Sequence, residues 1–148
     1  MWLVLGYGNL MRGDDGLGYR LAERLAGQVD GKSARIQALH QLAPELTLEL
    51  AASDIERVLF MDARRGQPEI FRMGKIEPQA GVGRCGHQLS PALLLGMTAE
   101  LYGRRPRAWL LTLPAADLGF GMRLSEAAQS ALGVAQRRVR ALLEARAS

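Results

Sequence analysis

Acidic and histidine side chains of the kind that bind metals occur beside apolar segments at several points of the chain. Asp14 and Asp15 end a glycine-rich loop, and Asp62 directly follows an apolar run. His87 precedes a helix start. Carboxylates and imidazole together suit a borderline divalent metal such as nickel or zinc. Three protein ligands would leave coordination positions open, as in a working site rather than a structural one. The candidate metal ligands are therefore Asp62, His87 and one acid of the Asp14–Asp15 pair.

One carboxylate is enough to cap the first helix and interact favourably with its dipole, so the second acid of the Asp14–Asp15 pair needs another explanation. We assign Asp14 a structural role and Asp15 a functional one, although the residues alone allow the reverse. The role of Asp62 is also open. A carboxylate after the buried run Val58–Met61 costs free energy unless it is paired, capped or metal-bound, so a site residue and a structural cap both fit.

Other chemistry-bearing residues give weaker indications. His40 is either a further site member or a polar loop residue, and the second interpretation is favoured. Cys85 as a nucleophile needs a base, but His87, two residues away in the same loop, is poorly placed to face it. The segment Gly119–Gly121 is interpreted as a turn. The chain has no Gly-x-Ser-x-Gly motif, so nothing supports a serine hydrolase.

The segment Gly6-Tyr7-Gly8 is similar to the start of a dinucleotide-binding fingerprint. Met11, however, stands where the third glycine is needed for close packing of helix and strand. Asp14 and Asp15 also put negative charge where a pyrophosphate needs hydrogen-bond donors. A P-loop is excluded, because no Gly-Lys-Ser/Thr follows a glycine run. Dinucleotide binding remains a minor alternative.

Strand and helix patterns alternate along the chain. Short apolar runs predict buried strands, and apolar residues at helical spacing predict helices. One helix has an additional start signal, Ser90 followed by Pro91, and a stop signal, Gly103. The predicted strands are Trp2–Tyr7, Ala34–Leu39, Arg57–Met61, an edge strand Glu69–Ile76, and Arg107–Leu113 closed by Pro114; the predicted helices are Leu17–Ala26, Pro44–Ala52, Ala92–Tyr102 and Ser125–Glu144.

This alternation predicts an α/β fold, a three-layer α/β/α sandwich around a mostly parallel sheet, with residues 1–148 forming a single domain. Ligand sites of open parallel sheets lie outside the carboxyl ends of the strands. Asp15, His40 and Asp62 follow such ends, and His87 precedes a helix start on what we expect to be the same edge. Topology is therefore expected to bring sequence-distant residues together.

Composition and charge argue against several classes. The formal net charge is +4, from 19 Lys and Arg against 15 Asp and Glu, and the arginines are scattered, so we expect no nucleic-acid binding. Cys85 is the only cysteine, which favours a reducing compartment. The N-terminus lacks the pattern of a signal peptide, and no apolar run approaches the ~18 residues of a membrane span. We expect a cytoplasmic monomer without membrane insertion.

Three motifs resemble those of hydrogenase maturation endopeptidases. Leu5–Gly18 is similar to the opening motif, in which a strand precedes Gly-x-Gly-Asn and then Asp-Asp/Glu-Gly-x-Gly at a helix start. Val58–Ala63 resembles the second, an apolar strand ending in Asp-Ala, and Gly86–Pro91 the third, a histidine before a helix. The resemblance covers nearly the whole chain. His40–Glu45 is further similar to a branch associated with soluble, NAD-linked or bidirectional hydrogenases.

The resemblance implies a reaction and a partner. Members of the family remove a short C-terminal peptide from the large-subunit precursor of a nickel–iron hydrogenase after its metal centre has been loaded. The family's metal-contacting residues carry over to Asp15, Asp62 and His87, with Asp15 in place of the Glu of some relatives. The nickel is expected to arrive with the substrate, although the isolated protein could hold another divalent metal. The alternatives are a non-catalytic nickel-binding or chaperone-like module and, less favoured, a dinucleotide-binding protein.

Overall fold

The computed structural model describes residues 1–80 and 89–145 of the chain. A 3-10 turn, Gly13–Gly16, precedes the first helix. The strands are β1 (Trp2–Tyr7), β2 (Ala34–Leu39), β3 (Arg57–Arg65), β4 (Arg72–Ile76) and β5 (Arg107–Ala115); the helices are α1 (Leu17–Ala26), α2 (Leu46–Leu50), α3 (Pro91–Tyr102) and α4 (Glu126–Glu144).

The five strands form one sheet in the order β2-β1-β3-β5-β4. Strand β1 pairs in parallel with β2 and with β3, and β3 pairs in parallel with β5. Strand β4 is the antiparallel edge strand beside β5. The carboxyl ends of β1, β2, β3 and β5 therefore meet at one edge, called the carboxyl edge below. The mostly parallel sheet is as predicted.

Alternating side chains of the strands feed two separate cores. Trp2 and Val4 of β1 pack with α1 and α4 on one face, whereas Leu3 and Leu5 pack with α2 and α3 on the other. Parallel strands buried on both faces read as continuous apolar runs, which is the pattern seen in Trp2–Leu5. The predicted three-layer α/β/α sandwich is confirmed.

Two strands extend further than their apolar runs indicated. Strand β3 was predicted to end at Met61, but it runs to Arg65 because β5 pairs with it from Arg57↔Arg107 to Arg65↔Ala115. Strand β5 likewise passes through Pro114. It can do so because β4 pairs with β5 only as far as Thr112, so the missing N–H of the proline faces no strand on that side.

The other boundaries shift less. The predicted helix Pro44–Ala52 is confined to Leu46–Leu50, and the predicted edge strand Glu69–Ile76 to Arg72–Ile76. Ser90 caps α3 by accepting a hydrogen bond from Leu93 N at 3.1 Å, and Gly103 ends it in the left-handed conformation, φ 66°. Within the described ranges, no helix has the length and apolarity needed to cross a membrane.

Candidate functional site

Glycines bring the start of α1 into close contact with the ends of β1 and β3. A Cβ on Gly18 would lie 2.2 Å from the carbonyl oxygen of Met61, and one on Gly6 would lie 2.1 Å from that of Gly18. Gly8 has φ +150°, and a Cβ there would meet the carbonyl oxygen of Asp15 at 1.9 Å. Any side chain at these positions would push the helix away. The glycines thus set Asp15 at the carboxyl edge.

Asp14 is fully buried and its carboxylate is enclosed by donors. Oδ2 accepts from the backbone N–H groups of Ala116 and Asp117 at 2.8 and 2.9 Å and from Ser125 Oγ at 2.7 Å. Oδ1 accepts from Ser125 N at 2.9 Å. Burial alone would raise the pKa of Asp14, but these hydrogen bonds outweigh it and lower the pKa below its usual value. This geometry supports the structural role predicted for Asp14.

Asp15 has more open surroundings than its neighbour, because its side chain is only partly buried. Its Oδ2 accepts from the backbone N–H of Asn9 at 2.9 Å, and Asn9 Oδ1 accepts from Met11 N at 2.9 Å. A carboxylate has two oxygens and several lone pairs, so one hydrogen bond leaves it able to bind a cation.

Asp62 lies within β3, one residue past Met61, where the pairing between β3 and β1 ends. By alternation it faces the same side of the sheet as Phe60, towards α2 and α3. Its Oδ1 accepts from Ala63 N at 2.7 Å. Burial, with a smaller contribution from the charge of Asp15, outweighs the hydrogen bonds from Ala63 and Tyr7 and raises the pKa of Asp62 to about 6.

The interaction of Asp15 with Asp62 shows that the two predicted acids, 47 positions apart, lie close enough for their charges to repel. Two carboxylates that share a partly buried position are stabilised by a cation between them. Within the described ranges, no group of three potential metal ligands occurs. His87, the third predicted ligand, lies outside the described residues, as does Cys85.

Tyr7 is a neighbour of the site that the sequence interpretation missed. It is the last residue of β1, and the register Gly6↔Met61 places it beside Asp62. Burial raises the pKa of the Tyr7 phenol, and the charge of Asp62 and a side-chain hydrogen bond to it raise the pKa further. The only sequence signal was a tyrosine ending an otherwise apolar strand.

His40 follows β2 at the carboxyl edge, as expected, but it is exposed. Its ring stacks on Tyr19 of α1, with 5.2 Å between ring centroids and 26° between planes. The interpretation of His40 as a polar loop residue stays a prediction.

A groove of about 610 Å³ lies beside the acids rather than over them. Arg65 and Ala115, the last residues of β3 and β5, line it together with Ala127 and Ser130 of α4. It therefore opens on the α1 and α4 side of the sheet, whereas Asp62 faces α2 and α3. Its lining is mostly apolar and lacks the acids, so the groove itself is not the candidate site.

Comparisons with known proteins identify the fold. No protein-family model matches the chain, and no curated protein matches it significantly in sequence. Solved structures do match. The NiFe hydrogenase maturation protease HycI from Thermococcus kodakarensis KOD1 has a TM-score of 0.76 and 23% identity, over 97% of this chain and 92% of that one. The hydrogenase maturating endopeptidase HybD from Escherichia coli has a TM-score of 0.66 and 18% identity, over 96% and 91%.

A third match is the hydrogenase 2 maturation peptidase from a Thaumarchaeota archaeon, with a TM-score of 0.67 and 21% identity over 97% of each chain. These similarities extend over nearly the full length of this chain and of each matched chain. The chain therefore has the α/β/α fold seen in hydrogenase maturation proteases, as its three motifs indicated.

Proposed function

We propose that the chain is an endopeptidase that removes the C-terminal extension from a nickel-loaded precursor of a nickel–iron hydrogenase large subunit. The observation that carries the proposal is the pairing of Asp15 and Asp62 at the carboxyl edge of this fold. Each acid belongs to a motif similar to those of hydrogenase maturation endopeptidases. The structural neighbours named as maturation proteases support the same assignment.

The electrostatics of the pair favour a cation as the recognised group. Asp62 is mostly buried and already repelled by Asp15, so neutralisation lowers its free energy. A divalent ion carried by the substrate supplies that charge when the substrate docks. Recognition would then depend on the metal, and a precursor without nickel would not be cleaved.

His87 completes the proposed ligand set. It stands three residues before Ser90, the N-cap of α3. The end of α3 lies at the edge opposite the acids, where Gly103 and Arg104 line a groove with Ile55 and Glu56, just before β3. A helix of 12 residues spans about 18 Å, so its first turn points back towards the carboxyl edge.

In the proposed mechanism, Asp15, Asp62 and His87 bind the nickel of the precursor and so place the scissile peptide bond against the carboxyl edge. When bound there, the ion would supply Lewis acidity to polarise the carbonyl or to activate the attacking water. The carboxylates hold the ion in a partly desolvated position, where its charge acts strongly on the reacting groups. The single cysteine fits the proposed cytoplasmic location; the monomeric state stays a prediction.

The proposal is tested by incubating a candidate large-subunit precursor with the protein, with and without loaded nickel, and measuring intact masses. We expect loss of one C-terminal peptide from the loaded precursor alone. A non-catalytic nickel-binding module would bind the loaded precursor and leave its mass unchanged. Equal cleavage of loaded and unloaded precursor would contradict the metal-guided mechanism.

A further inference from the structure

Three large apolar side chains are exposed on the segments beside Asp15. Phe120 is 92% exposed, Met122 is 54% exposed and Met11 is 45% exposed. We call these three residues the Phe120 patch. All three lie within one residue of the bridge between Arg12 and Gly121, so they belong to one small area of surface. Several exposed apolar side chains grouped together, unlike one exposed alone, are a sign of an interaction surface.

The patch is fixed to the body of the protein by short backbone hydrogen bonds. Gly121 N donates to Met11 O at 2.7 Å, and Gly13 N donates to Gly121 O at 2.7 Å. Arg20 of α1 donates from its guanidinium to the carbonyl oxygen of Met122. Phe120 is therefore presented on an ordered loop, and ordering it on binding would cost little entropy.

The patch is also continuous with the candidate site. Asp15 accepts from Asn9 N, Asn9 Oδ1 accepts from Met11 N, and Met11 O accepts from Gly121 N. The buried carboxylate of Asp14 holds the other end of the loop, at Asp117 and Ser125. A polypeptide that brings a peptide bond to Asp15 is therefore able to contact the patch at the same time.

Positive charge borders the patch. Arg12 adjoins Met11, Arg123 adjoins Met122, and both side chains are exposed. An apolar centre with a charged rim is the usual composition of a protein-binding surface, and a large aromatic anchor commonly supplies most of its affinity. The complementary partner is a polypeptide with a large apolar side chain next to acidic ones.

We propose that the Phe120 patch is the docking surface for the precursor, contacting the polypeptide beside the scissile bond through an apolar side chain flanked by acidic residues. This inference rests on the proposed function and adds a second contact to recognition of the nickel. The metal selects the loaded precursor, and the patch selects the polypeptide that carries it.

The test is the kinetics of precursor processing by the variants Phe120→Ser and Met122→Ser. We expect KM for the nickel-loaded precursor to rise at least about tenfold with kcat largely kept, because a docking contact is lost while the metal-binding residues remain. The matched control is Leu101→Ser. Leu101 is 64% exposed near the end of α3, at the opposite edge of the sheet, and its replacement should leave KM unchanged.

The charged rim is tested by Arg123→Glu, which should raise KM most at low salt. Arg104→Glu, at the opposite edge, is the matched control and should have little effect. Thermal unfolding of each variant should match that of the wild type, since all five side chains are exposed.

The outcomes separate this inference from the function on which it rests. If Asp15→Asn abolishes processing while Phe120→Ser and Leu101→Ser give the same KM, the docking surface is wrong and the peptidase stands. A fall in kcat with unchanged KM in Phe120→Ser would likewise overturn docking. If the wild-type protein cleaves no loaded precursor, the proposed function and the docking inference fall together.

Discussion

Asp14 and Asp15 are neighbours in the chain but have opposite surroundings. Four donors from the segment between β5 and α4 surround the buried carboxylate of Asp14. Asp15 accepts from Asn9 N and repels Asp62. The sequence alone allowed either assignment, because the donors to Asp14 lie about a hundred positions further along the chain. The division of roles depends on tertiary contacts that no local pattern encodes.

Replacing the buried acid tests its structural role. Asp14→Asn puts an amide N–H against backbone donors, so we expect the free energy of unfolding to fall by about 2–4 kcal/mol at pH 7. The folded-state pKa of Asp14 is lowered, so its contribution is present above the ordinary value and is lost as pH falls through the folded-state pKa. Urea denaturation at pH 7 and in acid measures both effects. Asp117→Asn, at an exposed side chain, is the control; equal losses in both variants would contradict the assignment.

Asp62 is predicted to destabilise the free protein. Its pKa of about 6 exceeds the ordinary value of 3.8, so the folded chain holds an extra proton between those values. The free energy of unfolding should therefore fall as pH rises from about 4 to 6 and stay low above that range. At pH 8, we expect the free energy of unfolding of Asp62→Asn to exceed that of the wild type by about 1–3 kcal/mol. At pH 4 the two proteins should differ little. Urea denaturation of the metal-free protein at both pH values measures this difference. If the variant is less stable than the wild type at pH 8, the ionised Asp62 does not destabilise the folded protein.

Helix α1 is placed by contacts between its backbone and the strand ends. Gly18→Ala would put a methyl group 2.2 Å from the Met61 carbonyl oxygen and 2.6 Å from that of Tyr7. We expect a loss of about 3 kcal/mol or more, because backbone cannot give way as a side chain can. Processing should fall as well, since Asp15 moves with the helix start.

The control is another helical glycine. Gly133 of α4 has only the end of the Arg137 side chain near its Cβ position, at 3.7 Å. Gly133→Ala should therefore raise the free energy of unfolding by up to about 1 kcal/mol through helix propensity. Thermal or urea unfolding of both variants gives the comparison. A neutral Gly18→Ala would contradict the close packing on which the position of Asp15 depends.

Most elements were predictable because their apolar patterns and caps are local. Strands β1 and β2 and helix α1 have the predicted bounds, and Ser90 is the helix cap that its position indicated. Ser125, predicted as the first residue of the last helix, is its N-cap. The end of β3 was not predictable from its apolar run. Its last residues are held in the strand by pairing with β5, and such pairing depends on a segment some 50 positions away.

At the scale of the molecule, the fold followed from the alternation of strands and helices, and the pairing of Asp15 with Asp62 followed from the rule for parallel sheets. The fold was confirmed, and the charge of Asp15 reaches Asp62, as their common edge led us to expect. The assignment of the two acids and of His87 as site residues stays a prediction. The proximity of Tyr7 to Asp62 and the attachment of the Phe120 patch to the first loop were not predictable. Each depends on the register between distant segments, which composition and periodicity do not determine.

In the proposed function, Asp15 and Asp62 together carry the processing of a nickel-loaded precursor. The most direct measurement is the rate at which a loaded precursor loses its C-terminal peptide, followed by intact mass, with the wild type, Asp15→Asn and Asp62→Asn. We expect cleavage by the wild type and a fall of at least about a hundredfold in both variants, because loss of a metal ligand should cost more than the ~10–100-fold lost with a ligand's hydrogen-bonding partner. Cleavage at the wild-type rate by either variant would contradict the role proposed for the two acids.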